Sequence, residues 1–178
     1  IVVTDTLVEK LDEDELLFGI AHEAGHYVLG HTVYTVVFLS ILIVATLFVA
    51  HVASWKLIAR FKHRFRFEEL GDVASLPLIL LLAGVFSFAI TPVWYAYTRS
   101  NEHVADRFAL ELTRANRAGA TSFVKLQSEN LRVPRPGPLY VLWRASHPPL
   151  GDRIDFCNSY RPWESGEPLR YELMIRRR

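Results

Sequence analysis

The chain has 178 residues, 51% of them hydrophobic, and its 20 Lys+Arg nearly balance 19 Asp+Glu for a net charge of +1. That balance argues against a nucleic-acid binder, which normally carries a clear basic excess, and a charged fraction of 22% excludes a disordered acidic or basic tail. One cysteine, Cys157, leaves no internal disulfide framework and no CxxC metal or redox motif.

Ile1–Leu7 reads as the end of a strand, and an opening in an apolar, β-rich run without methionine suggests a fragment of a longer protein. The acidic cluster Asp12-Glu13-Asp14-Glu15 follows. Asp12 as N-cap with Glu15 three residues on forms a capping-box pattern, and the acids suit the positive end of a helix dipole. The helix so started carries His22-Glu23-Ala24-Gly25-His26. His22 and His26 lie one turn apart, so both imidazoles leave one face and can hold one ion. Glu23 flanks that face, where a carboxylate can take a proton from water activated by the metal. Gly25 costs roughly 1 kcal/mol relative to alanine inside a helix, which a close helix neighbour or room for substrate would explain. His31, five residues after His26, points about 140° away on a regular helix and is left out of the ligand set.

Two apolar runs come next. Val33–Ala53 has 21 residues and Leu76–Tyr97 has 22, all without Asp, Glu, Lys or Arg. At about 1.5 Å per residue each crosses a hydrocarbon core of roughly 30 Å. Trp94, Tyr95 and Tyr97 end the second run as an aromatic belt, and Pro92 near its end is a candidate kink. The alternative, two buried helices of a soluble domain, asks 178 residues to enclose two full spans. Residues 54–75 between the runs carry Lys56, Arg60, Lys62, Arg64 and Arg66 and read as a basic loop. By charge alone that loop is cytoplasmic and both outer flanks lie opposite.

Residues 98–160 read as the rest of a soluble-facing domain. A polar helical stretch runs to about Asn130, then the Pro/Gly-rich Val133–Pro138, then a short helix after His147-Pro148-Pro149. Residues 161–178 show no clear period and read as a tail. Glu102 and Asp106 share one face of the first of these helices. Two antiparallel spans return that helix to the side of His22 and His26, where Glu102 completes a His₂Glu zinc site with a position open for water. Asp106 can then accept a hydrogen bond from the far nitrogen of a ligand histidine. His103 points about 100° away from Glu102.

The ordered set His22-Glu23-Ala24-Gly25-His26, Leu29-Gly30-His31, two spans, Arg99-x-x-Glu102-x-x-Ala105-Asp106 and Ser146-His147-Pro148-Pro149-x-x-x-Arg153 resembles the CAAX prenyl protease family. The HtpX-like membrane zinc proteases share the first and third elements. The resemblance implies a mainly α, membrane-embedded gluzincin-type metallopeptidase with two transmembrane helices and a small N-terminal strand. It implies one Zn2+ per chain on His22, His26 and Glu102, with Glu23 as general base and then acid and Asp106 behind the ligands. His147 would stabilise the oxyanion or hold the substrate backbone, and Arg153 would contact substrate near the scissile bond. The implied substrate is a peptide or protein, either a prenylated C-terminal tail or a damaged membrane protein, and the implied side of the zinc site is cytosolic, against the loop charge. CAAX-branch members have further N-terminal spans around an intramembrane chamber that this chain lacks, so it is expected to be the catalytic part of a longer protein or to act with another chain. A metal-stabilised scaffold without catalysis is the rival reading, and the intact Glu23 opposes it.

Overall fold

The computed structural model describes residues 9–130 and 133–175 and is mainly helical. The expected strand at Ile1–Leu7 and the terminal Arg176–Arg178 lie outside these. The described chain divides into two compact units, residues 1–32 with 95–178, and residues 33–94.

In the first unit, helix α1 (Glu13–Val28) starts on the capping box read from the sequence. The Glu15 amide donates to Asp12 Oδ1 at 2.9 Å, and the Asp12 amide donates to Glu15 Oε2 at 3.0 Å. The Glu15 carboxylate is buried and also takes the Lys125 ammonium at 2.5 Å, so its desolvation is offset by charge. Helix α1 is capped by Leu29 and followed by Gly30, whose φ of 69° is the left-handed conformation that a side chain disfavours.

Helix α2 (His31–Phe65) and helix α3 (Leu76–Thr113) follow. Helix α4 (Asn116–Asn130) packs on α1 and on α6 (Leu150–Ser159), with α5 (Pro138–Arg144) between them in sequence. The core joins Phe18 and Ala21 of α1, Ala109 and Leu110 of α3, Ala120 and Phe123 of α4, and Cys157 of α6. Phe18 meets Phe123 edge to face at 5.8 Å. Gly119 permits this packing. A Cβ there would stand 2.9 Å from the Phe18 ring and 3.0 Å from Cys157 Sγ. The polar helical stretch expected as far as about Asn130 forms as two helices, with a break where Arg114 adopts a φ of 54°. Buried Asn116 then restarts the helix and donates to the carbonyls of Cys157 and Tyr160.

Residues 161–175, expected as part of a tail, are packed. Two short helices, α7 (Pro162–Ser165) and α8 (Glu172–Ile175), form there, and buried Glu111 takes the Tyr160 hydroxyl at 2.5 Å and the Tyr171 amide at 2.8 Å. The bonds from Glu111 reach across 49 residues to Tyr160, which precedes the segment, and across 60 to Tyr171 within it, and no local period reveals them.

The second unit holds the two apolar runs. Among its residues Phe38 stacks on Trp94, and Ile58 and Leu78 share a buried cluster with Phe67, so the runs are antiparallel. Both α2 and the segment Val73–Thr113 are long and apolar enough to cross a membrane. Core helices would be buried. Instead none of the most apolar window of α2 and only 11% of that in the second is buried, and Val36, Leu47, Leu80 and Phe88 stand outward. The basic segment expected as a loop is helical as far as Phe65, because no glycine or proline interrupts the chain between Ala53 and Gly71. Helix α3 continues through Pro92 to Thr113.

Candidate metal centre

All the groups of this site belong to the first unit. Helix α1 presents His22 and His26 one turn apart, and α3 presents Glu102 and Asp106 one turn apart. The helices approach closely because Gly25 faces Phe108: a Cβ on residue 25 would lie 3.1 Å from the Phe108 ring. This is the close neighbour that a glycine within the helix calls for.

Three ligand atoms converge. His22 Nε2 and His26 Nε2 are 3.2 Å apart, and each lies 3.5 Å from an oxygen of Glu102. Ligand atoms about 2.0–2.1 Å from a tetrahedral zinc are separated by roughly 3.3 Å, so the spacing and the N,N,O donor set both fit that ion. Nitrogen lone pairs and a carboxylate this close need a proton or a cation among them.

The far nitrogens are also engaged. His22 Nδ1 sits 2.9 Å from Asp106 Oδ1, near enough for an ion pair although the ring N–H is not aligned well enough for a hydrogen bond. Burial disfavours a charge on His22, but the contacts with Asp106 and Glu102 outweigh it and raise its pKa to about 9. Burial and the charge of His22 lower that of His26. His26 Nδ1 lies 2.9 Å from His31 Nδ1. The 140° separation expected for His31 therefore does not hold, because the helix does not pass regularly through Gly30.

Arg153, on α6, is buried and bidentate on Asp106, with Nε at 2.8 Å and Nη2 at 2.6 Å. Its guanidinium lies over the Phe123 ring at 4.1 Å, and Nη1 is 3.5 Å from Glu102. Burial alone would favour loss of the proton; the pairing with Asp106 and Glu102 holds the group charged. His147 is half exposed, with Nε2 3.6 Å from Glu102 and Nδ1 3.0 Å from the Ser146 hydroxyl. With that hydroxyl donating, the ring carries its proton on Nε2, toward the site. The loop is fastened to α3 one turn before Glu102. Thr98 donates to the Ser146 carbonyl, and Arg99 donates to the carbonyls of Val141 and Ala145 at the end of α5. These two supports have no local signal beyond the place of Arg99 in the motif. His103 turns away from the ligands and lies against Phe156.

Glu23 is exposed and lines a cleft of about 1090 Å³ with His22, Glu102, His147 and Arg153. Leu16, Ile20, Phe123, Tyr140 and Leu150 give this cleft apolar walls.

The sequence pattern of peptidase family M48 matches residues 1–160. The chain is 36% identical over 154 residues to the uncharacterized metalloprotease YhfN of Bacillus subtilis (strain 168), covering 86% of this chain and 36% of that protein. It is likewise 36% identical over 162 residues to the CAAX prenyl protease 1 homolog of Oryza sativa subsp. japonica, with the same two coverages. A protease HtpX homolog of Bacillus licheniformis is 26% identical over 163 residues, 86% of this chain and 53% of that protein. The chain thus spans about a third of the length of YhfN and of the rice homolog.

Proposed function

The chain belongs to peptidase family M48, and from that membership we propose that it forms the catalytic part of an integral membrane zinc metalloendopeptidase of the gluzincin type. The observation that carries the reading is the convergence of His22, His26 and Glu102 at spacings of 3.2, 3.5 and 3.5 Å, beside an exposed Glu23 in a cleft with apolar walls. His22, His26 and Glu102 hold the ion. When bound, zinc supplies a Lewis acid that acidifies water and polarises a carbonyl.

The remaining chemistry belongs to the chain. Glu23 takes the proton of the attacking water and returns it to the leaving amine. His147 donates from Nε2 to the oxyanion or to the substrate backbone. Asp106 orients His22 through Nδ1, and Arg153 holds Asp106 while directing Nη1 toward Glu102 and the cleft. The apolar walls bind peptide side chains and exclude water. Residues 33–53 and 76–97 anchor the protein in the bilayer, and residues 98–160 with 1–32 form the peptidase domain, whose site we place on the cytosolic side.

Its substrates are peptides or proteins at the membrane. The Leu29-Gly30-His31 and Ser146-His147-Pro148-Pro149 elements and the 36% identity to the rice homolog favour a prenylated C-terminal tail. The likeness to an HtpX homolog supports the second candidate, a damaged membrane protein. Cleavage of a lipidated tetrapeptide tail, compared with cleavage of an unfolded membrane protein, separates them. The activity itself is tested in the full-length protein with Glu23→Gln, which keeps zinc and loses about 10²–10⁴-fold in turnover. Cleavage by Glu23→Gln at the wild-type rate contradicts the assignment.

A further inference from the structure

We propose that His31 is a positioning residue for the metal ligand His26, an inference that rests on the metal-centre reading above. Gly30, in the left-handed region with φ 69°, separates α1 from α2, and its amide donates to the Tyr27 carbonyl at 3.1 Å. Past this turn residue 31 lies beside residue 26. Their Nδ1 atoms are 2.9 Å apart, their ring centroids are 4.9 Å apart, and their planes cross at 76°. His26 turns its other nitrogen, Nε2, toward Glu102 and His22.

That geometry fixes two tautomers in turn. A neutral His26 that offers the Nε2 lone pair to a metal carries its proton on Nδ1. The proton then lies on the short contact, so His31 Nδ1 is the acceptor and His31 carries its own proton on Nε2. The contact holds the plane of the His26 ring and favours the ligating tautomer. On the other ligand, Asp106 stands at the corresponding place, 2.9 Å from His22 Nδ1. The two imidazoles are therefore braced by different chemistry, a carboxylate behind His22 and a neutral imidazole behind His26.

The test measures zinc affinity by chelator competition in the full-length, detergent-purified protein, with unfolding midpoints of the metal-free forms recorded beside it. His31→Phe keeps a ring and removes the acceptor, whereas His31→Asn places an amide oxygen where Nδ1 stood. The expected result is a loss of about 10–100-fold for His31→Phe and of no more than about threefold for His31→Asn. Equal affinity in His31→Phe and wild type overturns the proposal, as does a loss in His31→Asn as large as that in His31→Phe. His22→Ala, carried in parallel, distinguishes the underlying reading: unchanged zinc binding there means that the metal centre itself is misassigned. Nitrogen-15 spectra of the zinc-loaded wild type need no variant to fold. They should show His31 neutral with its proton on Nε2, and a proton on Nδ1 overturns the proposal.

Discussion

Asp106→Ala tests how the site is held together. The substitution removes both acceptors of a bidentate pair, at 2.8 and 2.6 Å, from a guanidinium only 9% exposed. Removing one partner of a buried ion pair costs about 3–5 kcal/mol, because the other charge stays desolvated. Glu102, 3.5 Å from Arg153 Nη1, takes up some of that charge, so the lower end, about 3 kcal/mol, is expected. Against a total stability of about 5–15 kcal/mol this is a large part. Arg153→Met on its own strands Asp106 in the same way, with His22 as its remaining partner among the described residues. The double variant Asp106→Ala/Arg153→Met removes both charges and is expected to recover most of the loss. The assay is urea unfolding of the metal-free, full-length protein at fixed detergent, followed by tryptophan fluorescence as a double-mutant cycle. A loss below about 1 kcal/mol in Asp106→Ala, the value of an exposed pair, would show that the pair is not desolvated. Additive losses in the double variant would show that the two charges are not coupled.

Three further outcomes follow from the same structure. Gly119→Ala puts a methyl 2.9 Å from the Phe18 ring and 3.0 Å from Cys157 Sγ, so it should destabilise by about 1–3 kcal/mol in the same unfolding assay. Cys157 has its pKa pushed to about 12 by burial, with Asp106 adding to the effect, so its thiol should resist alkylation at pH 9 in the native protein and react on unfolding. The folded value lies above the unfolded one, so this contribution to stability is whole below about pH 9 and is lost as pH rises toward 12. Gly30→Ala strains a residue at φ 69° and should lower stability by roughly 1–2 kcal/mol, measured again by unfolding midpoint.

What could be read in the sequence was what depends on short spacings. Asp12 and Glu15 are three residues apart, and their capping box needs nothing but the helix they start. His22 and His26 share a face through the helical period alone, and the two apolar runs declare themselves by length. Glu102 lies eighty residues beyond His22 and could be proposed only because two antiparallel spans return the chain, a topology that Phe38 on Trp94 supports within the second unit. The parts not legible were those set by a single backbone angle or by distant partners. One left-handed glycine moves His31 from the far side of a helix to within 2.9 Å of His26. Arg153, for which the resemblance implies contact with substrate, also commits two of its nitrogens to Asp106, 47 residues earlier, a support that no spacing reveals. Glu111 gathers Tyr160 and Tyr171 across 49 and 60 positions, which is why a segment without any period is nonetheless packed.

The zinc site is tested most directly by the metal content of the full-length, detergent-purified protein from elemental analysis, wild type beside Glu102→Ala. About one zinc per chain is expected in the wild type and a large loss in the variant, since three protein ligands become two. Zinc absent from a folded wild type, or retained in full without Glu102, would contradict the assignment.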